Sequence, residues 1–302
     1  MAGTVPQEIL NELEETYDDP ALLSRSFLRV ELHGGQDLWL TGSALPKESL
    51  LIPGNRWGKS TVSAVKHLDR CLWKRTRRPS LSKLRDYRTL NCSISLDQAR
   101  IVWNEALKIA GTETFSWAID WKRTVTTPFP RLVFKNGAEF WARSTKYAGR
   151  HIEGHEFAYI SYDEAPYERN WEDVVDQVLL MRLTDTDGWL DLIGTPRGRG
   201  PFFQRYKKAV TTQERAARAG IRSDLFYVQR GETAENPYIP REAIEHLAAT
   251  LPERLVRQNL HGEFVSGEGA VFLWEDIQAV YSGDIEYKIH REDGIELLVV
   301  KE

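Results

Sequence analysis

The chain has 302 residues, 41% hydrophobic and 28% charged, with a formal net charge of −4. Its 10 Trp, 11 Tyr and 11 Phe exclude a disordered chain, and no apolar run approaches the ~18 residues a membrane span needs. Cys71 and Cys92 cannot build a disulfide framework, no zinc-type Cys pair is present, and the N-terminus lacks a signal-peptide core, so a reducing, cytoplasmic setting is expected. With an acidic balance, any nucleic-acid partner must be held by a local basic surface.

Residues 1–24 carry six acids and no Lys or Arg. Ile9, Leu10, Leu13 and Tyr17 lie at helical spacing and predict an amphipathic helix ending near Asp19-Pro20. Ser49 to Ile52 predicts a buried strand that stops at Pro53-Gly54. Ser60 to Trp73 predicts a helix, with Val62, Val65, Leu68 and Leu72 on one face. A strand from Thr89 to Ile94 and a helix from Leu96 to Ala110 follow. Asn136-Gly137 sits between two apolar runs, 131–135 and 138–141, and signals a hairpin. Further strands are expected at Phe157–Tyr162, Trp189–Ile193 and Leu225–Gln229, and helix over 241–261. Strand–helix alternation predicts an α/β fold, a mostly parallel sheet with helices on both faces. The expected division is a core over 1–205 with an N-terminal helical segment, a small lid over 206–265, and an acid-rich tail over 266–302. The tail's Leu297-Leu298-Val299-Val300 reads as an opening strand.

The stretch Pro53-Gly54-Asn55-Arg56-Trp57-Gly58-Lys59-Ser60-Thr61 follows a strand and opens a helix, which is the setting of a phosphate-binding loop. Helix N-terminal N–H groups attract phosphate. Gly58 lets the backbone approach, Lys59 reaches the β and γ phosphates, and the Ser60 hydroxyl ligates Mg²⁺. Pro53 stands where the standard Walker A motif has its first glycine. The strand Phe157–Tyr162 runs into Asp163-Glu164, a Walker B arrangement. Asp163 would hold Mg²⁺ through its carboxylate. Glu164 would orient or deprotonate the attacking water. Thr195, in Gly194-Thr195-Pro196-Arg197-Gly198 after the next strand, is placed to sense the γ-phosphate.

These motifs together resemble the large terminase subunit of tailed bacteriophages, in the family's order and over roughly residues 30–270. Asn136-Gly137, Glu235-Asn236-Pro237 and Arg257 to Phe264 fit it as well. The resemblance implies a P-loop NTPase of the RecA-like type whose ATP hydrolysis drives double-stranded DNA into a procapsid. It implies a homo-oligomeric ring docked on the portal protein, a small terminase subunit that delivers DNA, and a location in the host cytoplasm. It makes Arg56 a cis-acting arginine and Gln36 an adenine reader. The family's arginine finger directly precedes a glycine; here Glu153 precedes Gly154, so Arg150 is the choice for a trans-acting finger and Arg143 the second. The family's nuclease half would begin beyond position 270, and its acidic motifs are not found. A two-domain helicase needs a second RecA-like domain, and a GTPase needs a base-reading Asn-Lys-x-Asp; neither is present. Another P-loop nucleic-acid translocase is the alternative.

Lys74 to Arg88 holds seven basic residues and one acid. It could face DNA, although a solvated loop accounts for it more simply. His151 and His155 have helical metal-ligand spacing but no third ligand.

Overall fold

The computed structural model describes residues 7–77, 86–265, 287–292 and 295–300. The chain divides into two compact units, Met1–Phe264 and Val265–Glu302. The first unit contains, in order, α1 (Gln7–Glu15), α2 (Pro20–Leu23), α3 (Gly34–Gly42), β1 (Glu48–Pro53), α4 (Lys59–Trp73), β2 (Arg88–Ser93), α5 (Leu96–Ala110), β3 (Arg131–Val133), β4 (Glu139–Ser144), β5 (Tyr159–Asp163), β6 (Trp189–Ile193), α6 (Pro201–Arg218), β7 (Phe226–Gly231), α7 (Arg241–Thr250) and α8 (Glu253–Asn259). Seven strands form one sheet in the order β3-β4-β2-β5-β6-β1-β7. Only the β3–β4 hairpin is antiparallel; every other neighbouring pair is parallel. This is the expected α/β architecture. Its parallel strands deliver the turns after β1, β5 and β6 to one edge, with β6 between the other two.

The local reasons are those of the sequence. β1 is buried along its whole length, as a central strand of a covered sheet must be. Val62, Val65 and Leu68 of α4 pack with Val102, Trp103 and Ala106 of α5 in the core on one face. Val174, Val175 and Leu179, from the helical turns after β5, pack with Phe202 and Ala209 of α6 on the other. Asn136 turns the hairpin and also ties it down, donating its amide N–H to the carbonyls of Cys71 and Leu72 at 2.9 and 2.8 Å.

The polar residue Ser161 within β5 belongs to a neutral buried chain. Ser161 Oγ donates to Asn91 Oδ1 at 2.7 Å and lies 2.7 Å from His67 Nε2, whose Nδ1 is 3.0 Å from Thr89 Oγ1. With the Ser161 proton given to Asn91, His67 Nε2–H must donate to Ser161 and Nδ1 must accept from Thr89. Burial holds His67 well below the ordinary imidazole range, with Arg70 and Lys66 adding to it.

Three expectations change. The N-terminal helix α1 ends at Glu15, short of Asp19-Pro20, and a separate α2 starts at Pro20, where Asp19 Oδ1 caps it through the N–H groups of Ala21 and Leu22 at 3.0 Å each. The helix over 241–261 is broken by Leu251-Pro252 into α7 and α8. The boundary at 205/206 falls inside α6, which packs on one face of the sheet, and β7 pairs with β1 from Glu48↔Phe226 to Pro53↔Gly231, so Phe226–Gly231 is part of the sheet itself. Only the segment after β7 stands apart from the sheet, and α7 and α8 bury no residue. In the second unit, β8 (Tyr287–Glu292) and β9 (Ile295–Val300) form an antiparallel hairpin, and β9 contains the expected strand at 297–300. Residues 266–286 lie outside the described residues.

Glu48 opens β1 in a buried position, with Oε1 3.1 Å from Arg205 Nε of α6. The pair is close without being aligned as a hydrogen bond. Burial raises the Glu48 carboxyl from 4.5 to about 7, against the opposing pull of Arg205. A raised folded-state value gives stability that is complete below pH 4.5 and is lost as pH rises through 7. Glu48→Gln should therefore flatten the fall in stability across that window by about 1 kcal/mol per pH unit. Urea unfolding at pH 5 and 7.5 measures it, and equal slopes in variant and wild type would contradict the assignment.

Candidate active site

β1 must turn sharply to start α4, and the turn is built on positive backbone angles, φ 63° at Arg56 and 102° at Gly58. At φ 102° an L side chain on Gly58 would be strained, and its Cβ would also meet Gln36 Nε2 at 2.4 Å. Pro53 is the last residue of β1, and the loop proper starts at Gly54, whose N–H donates to the Gly231 carbonyl at 2.9 Å.

The loop is clamped from outside. Thr233 Oγ1 donates to the Asn55 carbonyl at 2.7 Å and Asn236 Nδ2 to the Arg56 carbonyl at 2.6 Å. The buried Trp57 indole donates to Glu235 Oε2 at 2.7 Å. Asn55 N–H donates to the Asn259 carbonyl at 2.6 Å. On the other side Gln36 Nε2 donates to the Gly58 carbonyl at 3.0 Å, and His33 Nε2 lies 2.8 Å from the Trp57 carbonyl. Gln36 Oε1 accepts from the His33 N–H at 3.1 Å. Both ends of the Gln36 amide are thus engaged in fastening the loop to the start of α3. In this structure it is a loop fastener, not a group turned to a base.

Three strand ends converge on Lys59. Its Nζ donates to Thr195 Oγ1 at 3.1 Å and lies 3.5 Å from Glu164 Oε1. Thr195 Oγ1 donates in turn to Asn55 Oδ1 at 3.1 Å. Glu164 is held in the left-handed region, φ 59°, directly after β5. The neighbouring Gly194 leaves no room for a Cβ, which would lie 2.3 Å from Pro166 Cδ. Asp163 is buried, and Ser93 Oγ donates to its backbone carbonyl at 2.8 Å. Its Oδ1 has no hydrogen-bond partner. Burial, then the Glu164 charge, raises the Asp163 carboxyl to about 7, against the pull of Lys59.

Those features fit a divalent cation with a nucleotide. An orphaned buried carboxylate oxygen is a donor waiting for a hard cation. Ser60 and Thr61 occupy the first turn of α4, whose opening N–H groups face the loop. Ser60 and Asp163 are the residues that would hold Mg²⁺.

The arginines separate clearly. Arg56 is exposed within the loop, and Arg150 is exposed in the turn after β4. Arg143 is buried, donates Nη1 to the carbonyls of Pro130 and Ala142, and stacks 4.4 Å from the Trp141 ring centroid. It lies two residues from Trp141 on one strand, hence on one face, and does not project as a finger. His151 falls in a turn and His155 in the irregular segment after it, neither in a helix, and the described residues hold no group of three metal-ligating side chains. Of the basic stretch 74–88, residues 78–85 lie outside the described residues. Arg75 pairs with Asp69 at 2.6 Å and Arg88 with Asp86 at 3.2 Å. Among the described residues this favours a locally neutralised surface.

No family model and no curated protein matches the sequence. Solved structures do match. The large terminase ATPase domain of Thermus phage P74-26 is 21% identical with a TM-score of 0.56, covering 79% of this chain and 96% of that one. The fold is that of the phage large terminase ATPase domain. The HK97 bacteriophage large terminase is 14% identical with a TM-score of 0.57, covering 78% of this chain and 51% of that one. The large terminase of a thermophilic bacteriophage, solved in complex with ADP, is 12% identical with a TM-score of 0.57, covering 78% and 54%. The chain thus spans about half the length of those two proteins, and the fold it shares with them is a P-loop NTPase fold.

The buried Asp163 yields a prediction. Above pH 7 its ionised, unpartnered oxygen costs stability, and protonation removes that cost at lower pH. Asp163→Asn should raise the stability of the metal-free protein at pH 8 by about 1–3 kcal/mol. The gain should vanish near pH 5, and the variant should lose the added stabilisation from Mg²⁺ with ADP. Thermal melts at the two pH values check this. A variant less stable than wild type at pH 8 would show that the carboxylate is already satisfied.

Proposed function

We propose that this chain is the ATP-hydrolysing part of a motor that packages viral double-stranded DNA into a procapsid. The observation that carries the reading is the meeting of Lys59, Glu164 and Thr195, from three strand ends of a terminase-type sheet, within 3.1 and 3.5 Å. In this reading Lys59 places positive charge on the β and γ phosphates, and the backbone from Gly54 to Thr61 cradles them. Mg²⁺, held by Ser60 and Asp163, would neutralise phosphate charge. A phosphate beside Lys59 competes for its ammonium and releases Glu164, whose carboxylate then accepts a proton from water. Thr195, bonded to both Lys59 and Asn55, registers whether the phosphate is present. Arg56 supports the transferred group in cis, and Arg150 from a neighbouring subunit does so in trans. The partners of this reading are double-stranded DNA, a portal protein on a procapsid, a small terminase subunit and further copies of the chain in a ring, all in the host cytoplasm. A different P-loop nucleic-acid translocase would share the site chemistry but would not be stimulated by procapsids. ATP hydrolysis with and without DNA and procapsids separates the two.

Lys59→Ala should abolish hydrolysis and weaken nucleotide binding. Glu164→Gln should bind ATP yet turn over slower by orders of magnitude. Wild-type turnover in a clean Lys59→Ala preparation would sink the proposal.

The role of Arg150 has its own test. Arg150→Ala should bind ATP normally and hydrolyse it poorly. Mixing in Glu164→Gln subunits, inactive alone but with Arg150 intact, should restore part of the activity. Rings that form on mixing but stay inactive would remove Arg150 from the site.

A further inference from the structure

Beside the Asp163–Glu164 turn, at the same sheet edge, lies a second cleft of about 640 Å³. Lys146, Tyr147, Tyr167, Arg169, Asn170 and Arg197 line it. Three cations stand around one acid, and that acid is already engaged. The Glu168 carboxylate accepts from Tyr162 Oη at 2.5 Å, Thr145 Oγ1 at 3.1 Å and the Asn170 N–H at 2.7 Å. Lys146, Arg169 and Arg197 are all exposed, and none is paired with a carboxylate among the described residues. The Arg197 guanidinium lies 4.4 Å from the Tyr167 ring centroid, which fixes its direction without using its donors.

The backbone of the cleft is unusual as well. Tyr147 and Ala148 are consecutive non-glycine residues with φ of 59° and 54°. Such a pair is strained and persists only where its surroundings impose it. Here Thr145 N–H donates to the Ser93 carbonyl at 2.8 Å and Gly149 N–H to the Thr145 carbonyl at 2.9 Å, holding the turn closed. The strained turn puts the Tyr147 ring into solvent, 75% exposed, next to Lys146.

We infer that this cleft binds the phosphodiester backbone of duplex DNA. Cations without carboxylate partners, an amide and exposed tyrosines are the groups that engage phosphate and sugar without reading sequence. The proposal rests on the packaging reading only for the polymer's being DNA. The walls give it a consequence. Tyr167 follows Glu164 by three residues and Arg197 follows Thr195 by two. A strand drawn into the cleft therefore pulls on the two turns that meet at Lys59, and DNA should raise the rate of ATP hydrolysis.

The test uses the whole chain with a fluorescent duplex, nucleotide-free, across a salt series. A Lys146→Gln/Arg169→Gln/Arg197→Gln variant should lower the slope of log affinity against log salt by roughly 0.9 for each phosphate no longer neutralised. It should also lose DNA stimulation of ATP hydrolysis. The control is Arg215→Gln/Arg218→Gln, two exposed arginines at the far end of α6, which should keep the wild-type slope. A triple variant with the wild-type slope, an equal drop in the control, or binding of single strands in preference to duplex would each overturn the cleft. The outcomes also separate the two readings. A chain that hydrolyses no ATP yet shows the slope difference keeps the cleft and loses the motor. A chain that hydrolyses ATP with an unchanged slope keeps the motor and loses the cleft.

Discussion

The turn between β1 and α4 is the constraint on which the rest depends. Arg56 and Gly58 must both take positive φ for the chain to leave a buried strand and enter a helix with its N–H groups facing outward. A non-glycine residue in that region costs on the order of 1 kcal/mol. The hydrogen bonds from Thr233, Asn236 and Gln36, the contact with His33, the Asn55 N–H on the Asn259 carbonyl and the Trp57 indole on Glu235 offset that cost and fix the loop. None of these partners is close in sequence. The loop's shape is therefore a property of the packed domain, and any shift of the segment after β7 reaches the loop through backbone carbonyls at Asn55 and Arg56.

Within that frame the site is assembled from groups that do not satisfy one another. Asp163 has a buried oxygen with no partner, and Lys59 divides its ammonium between a hydroxyl and a carboxylate at 3.1 and 3.5 Å. An interior arranged for stability alone would pair or remove such groups. Two core side chains are paired instead. Lys66 lies 2.5 Å from Asp191 Oδ2, which also accepts from Tyr159 Oη at 2.8 Å, and His67 has both ring nitrogens engaged. His67 is thus fully engaged and Asp191 Oδ2 is paired, while Asp191 Oδ1, like Asp163 Oδ1 at the sheet edge, has no hydrogen-bond partner.

How much of this is legible in the sequence depends on the range of the interaction. β1 and α4 can be read because Leu50, Leu51 and Ile52 are a continuous apolar run and Val62, Val65 and Leu68 repeat at helical spacing. Lys59, Glu164 and Thr195 can be read because each terminates or follows an apolar strand, and parallel pairing then brings them together. β7 is visible as a strand, but its place beside β1 is not, since that pairing joins Glu48 to Phe226 through the packing of α6. Gln36 is picked out for another role, and its fastening of the loop escapes for the same reason: its bond to the Gly58 carbonyl spans 22 residues and leaves no local pattern. Arg143 is the avoidable error, because strand alternation already places it on the face of Trp141.

The two sites at the sheet edge share their supports, which makes the edge mechanically continuous. Ser93 holds Asp163 through its hydroxyl and Thr145 through its carbonyl, so the end of β2 braces both the acidic turn and the strained turn at Tyr147. Glu168, bonded to Tyr162 and Thr145, joins the end of β5 to the end of β4. Force applied at Tyr147 or Arg197 thus meets backbone already fastened to Asp163 or adjoining Thr195, instead of a free loop. A strained turn anchored at both ends can pass a displacement on without absorbing it, because packed elements move between discrete arrangements. That property requires no long path through the core, only that the turns leave one edge of a parallel sheet, with β2 between β4 and β5 and with β5 beside β6.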